Sequence, residues 1–203
     1  MILHLEKKPT YPPMEAKPYP AVCVGIYFIG EQETHYKNRT GFKDQIVFTF
    51  EFPTVTLEID GEQKPRQLSR TYNYLAGEKS NLRKMLSSWI GRDVGDAGIL
   101  TFDSSLYLGH SALVQVVKKD NGYNDIASVM ALPEGMPDPT TQTPLREFNV
   151  NDWDDAVFQT LPEWIQARIQ RSTQYKEGHT PAEAVDFPDG QLTEMPDDTR
   201  VPF

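Results

Sequence analysis

Between Lys43 and Thr56, four large apolar residues recur at every second position: Ile46, Phe48, Phe50 and Phe52. Strand side chains alternate between the two faces of a sheet, so this spacing builds one apolar face. Val47, Thr49 and Glu51 fall on the opposite face. A helix would scatter the same residues around its circumference, so this segment must be a strand whose phenylalanines enter a core. The rest of the chain is read around it.

Ala21–Ile29 is a nearly continuous apolar run of strand length, with Gly25 marking a bulge or bend. Glu31–Phe42 is polar and reads as a loop. Asp60-Gly61 is a hairpin signal, followed by a third strand over Arg66–Leu75 with Leu68, Arg70, Tyr72 and Tyr74 on one face. Glu78–Trp89 changes period: Leu82, Met85, Leu86 and Trp89 stand at i, i+3, i+4 and i+7, an amphipathic helix stopped by Gly91. Asp93–Ser105 reads as loop. Leu106–Lys118 and Tyr123–Leu132 are a fourth and fifth strand about the turn Asp120-Asn121-Gly122. Prolines 133, 137, 139 and 144 end the strand-rich part, and one more short amphipathic helix is expected within Trp153–Ile169, starting near Leu161-Pro162-Glu163-Trp164.

Three strands, a helix and two strands is the order of an OB-fold barrel. The expected fold is therefore mainly β: a five-stranded OB-fold barrel with a helix between strands 3 and 4, then a C-terminal helical extension and a disordered tail. The expected boundaries are an extended N-terminal arm over 1–18, the barrel over 19–146, the helical extension over 147–176 and the tail over 177–203.

Charge supports that division. Residues 1–146 carry 17 acids and 16 bases, whereas residues 177–203 carry seven acids and only Arg200. A near-neutral body can still present a local basic face, which one overall charge of −9 conceals. The tail has four prolines and few apolar residues, too little burial to offset its ordering entropy. No apolar run reaches the roughly 18–20 residues needed to cross a bilayer. Charges in Met1–Lys8 interrupt what would be a signal peptide's apolar core, so a cytoplasmic protein is expected. The single cysteine, Cys23, allows no internal disulfide, and the four histidines give no zinc-like spacing. No metal or cofactor is expected. Neither a Walker-type phosphate loop nor a recognised Ser or Cys nucleophile motif occurs, so the chain is not read as an enzyme.

The third strand running into its helix (Ser69-Arg70-Thr71-Tyr72 through Glu78-Lys79-Ser80-Asn81-Leu82-Arg83 to Trp89-Ile90-Gly91-Arg92), Asp125-Ile126-Ala127-Ser128-Val129 and Leu161-Pro162-Glu163-Trp164-Ile165 carry a resemblance. Over roughly residues 17–176 the sequence resembles phage-encoded single-stranded DNA-binding proteins of the OB-fold type. The end, Met195-Pro196-Asp197-Asp198-Thr199-Arg200-Val201-Pro202-Phe203, is similar to the acidic tips of bacterial single-strand-binding proteins, with Arg200 departing from that pattern. The resemblance implies a protein that coats and protects single-stranded DNA in phage replication, recombination or repair, in the host cytoplasm. It also implies recruitment of replication and recombination proteins through Asp197, Asp198, Val201, Pro202 and Phe203. Homo-oligomers are compatible with it.

Single-strand binding needs aromatic platforms for bases and cations for phosphates. The stretch between strands 1 and 2 interleaves both, in Tyr36, Lys37, Arg39, Phe42 and Lys43. So does the strand 4–5 hairpin, in Lys118, Lys119 and Tyr123. Arg66, Arg70, Tyr72 and Tyr74 on strand 3, with Tyr27 on strand 1, complete the candidate set. The competing reading makes Tyr72 and Tyr74 core residues, Tyr27 a barrel-end residue and both hairpins ordinary solvated turns. Phe48, Phe50, Phe52 and Trp89 are read as core, and Lys79, Arg83 and Lys84 as a solvated helix face. Two other functions fit the order of elements: an OB-fold adaptor that binds only protein, and a strand-annealing or recombination mediator.

Overall fold

A computed structural model describes residues 12–179 except 38 and 60. The side chains of Tyr36, Arg39 and His179 also lie outside the described set, as does the whole of the expected tip, Asp197, Asp198, Val201, Pro202 and Phe203.

The phenylalanine stripe is part of β2 (Arg39–Ile59), which pairs antiparallel with β1 (Pro18–Tyr36) and β3 (Glu62–Asn73). Then come α1 (Asn81–Ile90), α2 (Gly95–Leu100), a 3₁₀ turn over Ser104–Leu106, and the hairpin β4 (Ser111–Lys118) and β5 (Asn124–Met130). The chain continues through β6 (Arg146–Asn149), α3 (Asp155–Thr160), α4 (Glu163–Ile169) and α5 (Thr173–His179). The strand order is β3-β2-β1-β4-β5, with β6 added parallel to β1. The fold is mainly β, as expected, but the sheet does not close. Among the described residues no ladder joins the ends β3 and β5, and the nearest link is Arg70 Nη1 donating to Ala127 O at 3.2 Å.

Two cores form on opposite faces of β1 and β2. Ile46, Phe48, Phe50 and Phe52 face inward with Tyr72, Leu82, Leu86, Trp89 and the β4–β5 apolar residues. Helix α1 buries the four residues its spacing predicts. Ser80 caps its start by accepting from the Arg83 amide at 3.3 Å, and Gly91 ends it in the left-handed region at φ 72°. Trp89 donates to Ser111 O at 2.8 Å, tying the helix to β4. The second core lies behind the sheet, where Tyr27, Ile29 and Val47 meet Phe148, Phe158, Ile165 and Ile169. The C-terminal helices are thus bound into the body by their own apolar layer.

Five expectations change. Asp93–Ser105 is not all loop, since α2 forms within it. The stretch Glu31–Phe42 is paired strand rather than loop, out to Tyr36↔Arg39, with Thr34 Oγ1 donating to Gly41 O at 3.0 Å. β4 starts at Ser111, because Leu106–His110 turns through Gly109. The late helix expected from Leu161-Pro162 is α4, but two more flank it: α3 ends before Leu161, since the residue before proline is kept out of the helical region, and α5 follows Ile169. β6 was not expected. It occupies the edge of β1 over Gly25–Phe28, beyond the Pro18–Val22 stretch that β4 pairs.

Residues 12–17 lie against the body. Asn124 holds Met14 twice, accepting from its amide at 2.7 Å and donating to its carbonyl at 3.0 Å. Arg66 Nη1 donates to Pro12 O at 2.6 Å.

Candidate nucleic-acid interface

The alternation that sends β2's phenylalanines inward sends Gln45, Val47, Thr49 and Glu51 outward. Their partners on β3 are Asn73, Thr71, Ser69 and Gln67. The result is a ladder of polar cross-strand contacts: Gln45 to Asn73 at 3.2 Å, Thr49 to Ser69 at 2.8 Å and Gln67 to Glu51 at 3.0 Å. At one end Glu51 is fully buried under the segment before β6, where Thr141 Oγ1 (2.5 Å) and Thr143 Oγ1 donate to its carboxylate.

At the other end α4 reaches over the ladder. Ile165 and Ile169 bury in the second core, and the flank beside them carries Arg168. Its guanidinium donates from Nη1 to Thr71 Oγ1 at 2.6 Å and from Nη2 to Gln45 Oε1 at 2.7 Å. Both acceptors are neutral, and no carboxylate of a described residue forms an ion pair with Arg168. Burial, and then the neighbouring Arg171, lowers its pKa. Two oriented bonds therefore fix a cation that no described carboxylate pairs with. One turn earlier on the same flank, Trp164 is 45% exposed. Lys43, exposed, continues the outward row of β2 beyond Gln45. Val47, Thr49 and Glu51 are buried, so the open part of the floor is the β3 row, from exposed Gln67 to exposed Asn73. That polar row, an oriented guanidinium and an open indole are parts a single strand can use. Sequence reading missed Trp164 and Arg168. Their i, i+4 spacing is visible, but which flank of α4 meets the sheet depends on its docking.

The residues singled out from sequence do not form one site. Tyr27 and Tyr72 are buried in the two cores and are corrected here: neither ring is open to a base. The inward course of β3 follows from its register with β2, which sets Tyr72 opposite Ile46. Tyr74 is half-buried, its hydroxyl donating to Ile99 O at 2.5 Å. Arg66 is engaged with Pro12, and Arg70 lies over the Tyr72 ring, 5.4 Å from its centroid. Two hairpins stay open. Phe42 is 58% exposed beside Lys43, with Lys37 at the turn, and Tyr123 is 67% exposed in the hairpin of Lys118 and Lys119. Lys119 pairs with Asp125 at 2.8 Å. The ladders set these hairpins at opposite ends of β1, since β4 pairs with its first residues and the β1–β2 turn follows its last.

Burial of the two tyrosines has a consequence for alkaline stability. Phenols titrate near 10 in an unfolded chain, and burial pushes Tyr27 and Tyr72 up to about 12. Folded pKa values above the unfolded ones give stability that is complete below about pH 10 and lost as pH rises toward 12. Tyr27→Phe and Tyr72→Phe are each expected to raise the alkaline unfolding midpoint relative to wild type. Circular dichroism with phenolate absorbance checks this, and midpoints unchanged in both variants would contradict it.

Among the described residues no three His, Cys, Asp or Glu side chains are placed to hold a metal, and no helix is long and apolar enough to cross a membrane. No protein-family model matches the chain, and neither a curated protein nor a solved structure is significantly similar to it.

Proposed function

We propose that this protein binds single-stranded DNA along the β3 row of that outer face, beside α4, and serves as a coating protein in phage DNA replication and recombination. The observation that carries the reading is Arg168, held across that face by Thr71 and Gln45 with no ion-pair partner among the described residues and with Trp164 open beside it. Two further features support it. The strand order with α1 between β3 and β4 suits an OB-type barrel left partly open, whose strand 2–3 face is the usual binding surface. Phe42 and Tyr123 also place open rings beside lysines on two projecting hairpins. In this reading the protein acts without catalysis. It protects the strand, melts hairpins by mass action and offers partners the acidic end that closes in Pro202-Phe203.

Fluorescence anisotropy of labelled poly-dT across a salt series, beside a duplex control, tests the proposal. Single-strand binding that weakens steadily with salt is the expected result. No binding at about 50 mM salt, where phosphate contacts are still strong, would remove it. The protein-only adaptor reading would then lead.

A further inference from the structure

A groove of about 450 Å³, lined by none of the residues that hold Arg168, opens between the inner core and the C-terminal extension. Phe28, Tyr74 and Phe102 line it with half-buried rings in edge-to-face contact: 5.3 Å at 74° for the first pair, 6.5 Å at 89° for the second. The Tyr74 hydroxyl is already committed to Ile99 O. Glu147, Asp152 and Asp154 stand at the rim, and among the described residues no Lys, Arg or His lines the groove. Glu147 accepts from Ser104 at 2.5 Å, and Asp154 caps α3 by accepting from the amides of Ala156 and Val157. These bonds fix two carboxylates without neutralising them.

Such a lining selects a particular chemistry. Phosphate is repelled by three acids, and a purely apolar ligand would leave their charge unanswered. An organic cation on an apolar stem satisfies both halves, because ring faces attract cations and the stem covers the aromatic surface. We infer that this groove is a binding site for an alkylammonium group, best presented as the side chain of a lysine on a partner protein. The site is separate from the Arg168 face and stands or falls independently of DNA binding.

Calorimetric and NMR titration of the full chain tests the inference with four probes. Butylammonium and n-butanol compare charged and neutral stems. A short peptide with one central lysine and its norleucine counterpart compare the same chemistry on a polypeptide. The charged member of each pair is expected to bind about tenfold tighter, given the strength of cation–ring attraction, with amide shifts at Phe28 and Asn149 and weakening by salt. A peptide preferred over the free amine assigns a protein lysine, and the reverse order assigns a small amine. The double variant Glu147→Gln/Asp152→Asn alters two exposed side chains, so its urea midpoint should be unchanged while charge preference falls. Equal binding of the lysine and norleucine peptides, or full charge preference in the double variant, would overturn the site.

Discussion

Glu51→Ala should lower folding stability by about 3 kcal/mol, the combined effect of emptying a fully buried side-chain site and removing the shared acceptor of three partly buried donors. Glu51 is fully buried, yet no lysine or arginine pairs with it among the described residues. Its carboxylate is satisfied by the Gln67 amide and the hydroxyls of Thr141 and Thr143. Alanine deletes the acceptor for all three. It also releases the segment before β6, whose Thr141 Oγ1 in turn accepts from the Thr143 amide at 3.0 Å. Glu51→Gln keeps one carbonyl and the shape of the side chain, and threonine hydroxyls can rotate to accept from the new amide. Its cost should be about 1 kcal/mol. Urea midpoints of the two variants measure the difference. Equal losses would mean that side-chain volume, not the hydrogen bonds, holds this end of the sheet.

Glu51 also shows where the sequence stops being legible. Alternation along β2 places it on the face opposite Phe50 and Phe52, and that is where it lies. An outward glutamate on a strand is ordinarily exposed. What buries it is a proline-rich segment about 90 residues later, and no local pattern announces that contact. The same division runs through the site. The period-two spacing of Tyr72 and Tyr74 is plain, but whether their face meets core or solvent depends on register, and a slip of one residue would invert it. The extension of β1 and β2 past Phe28 carries no apolar stripe, because both its faces are polar, so composition alone suggested a loop. Helix α1 is legible from its apolar spacing and its Gly91 stop, both local, although it starts at Asn81 behind the Ser80 cap and not at Glu78. The start of α4 is equally local, marked by Leu161-Pro162 just ahead of Glu163 and Trp164.

Trp164→Ala is expected to weaken single-strand binding by one to two orders of magnitude, since loss of one stacking platform costs about 1–3 kcal/mol. Folding should be nearly untouched, because the indole is exposed and has no ring partner among the described residues. Arg168→Gln should act differently. It removes one phosphate contact, so binding weakens and the salt dependence becomes shallower by about 0.7 in the log–log slope. It also withdraws the donors that Thr71 and Gln45 receive, so a modest stability loss belongs with it. Anisotropy titrations at several salt concentrations separate the two effects: Trp164→Ala should shift the line without tilting it, and Arg168→Gln should do both. Tyr72→Phe is the control from the buried set, since its ring lies inside the inner core and binding should stay as in wild type. Loss of affinity in Phe42→Ala and Tyr123→Ala with none in Trp164→Ala would move the strand to the two hairpins. Their placement at opposite ends of β1 would then require a long path over the body, with an occluded length per protein to match. A strand confined to the β2–β3 face would occlude less, so oligonucleotide length dependence is the independent check on which path is taken.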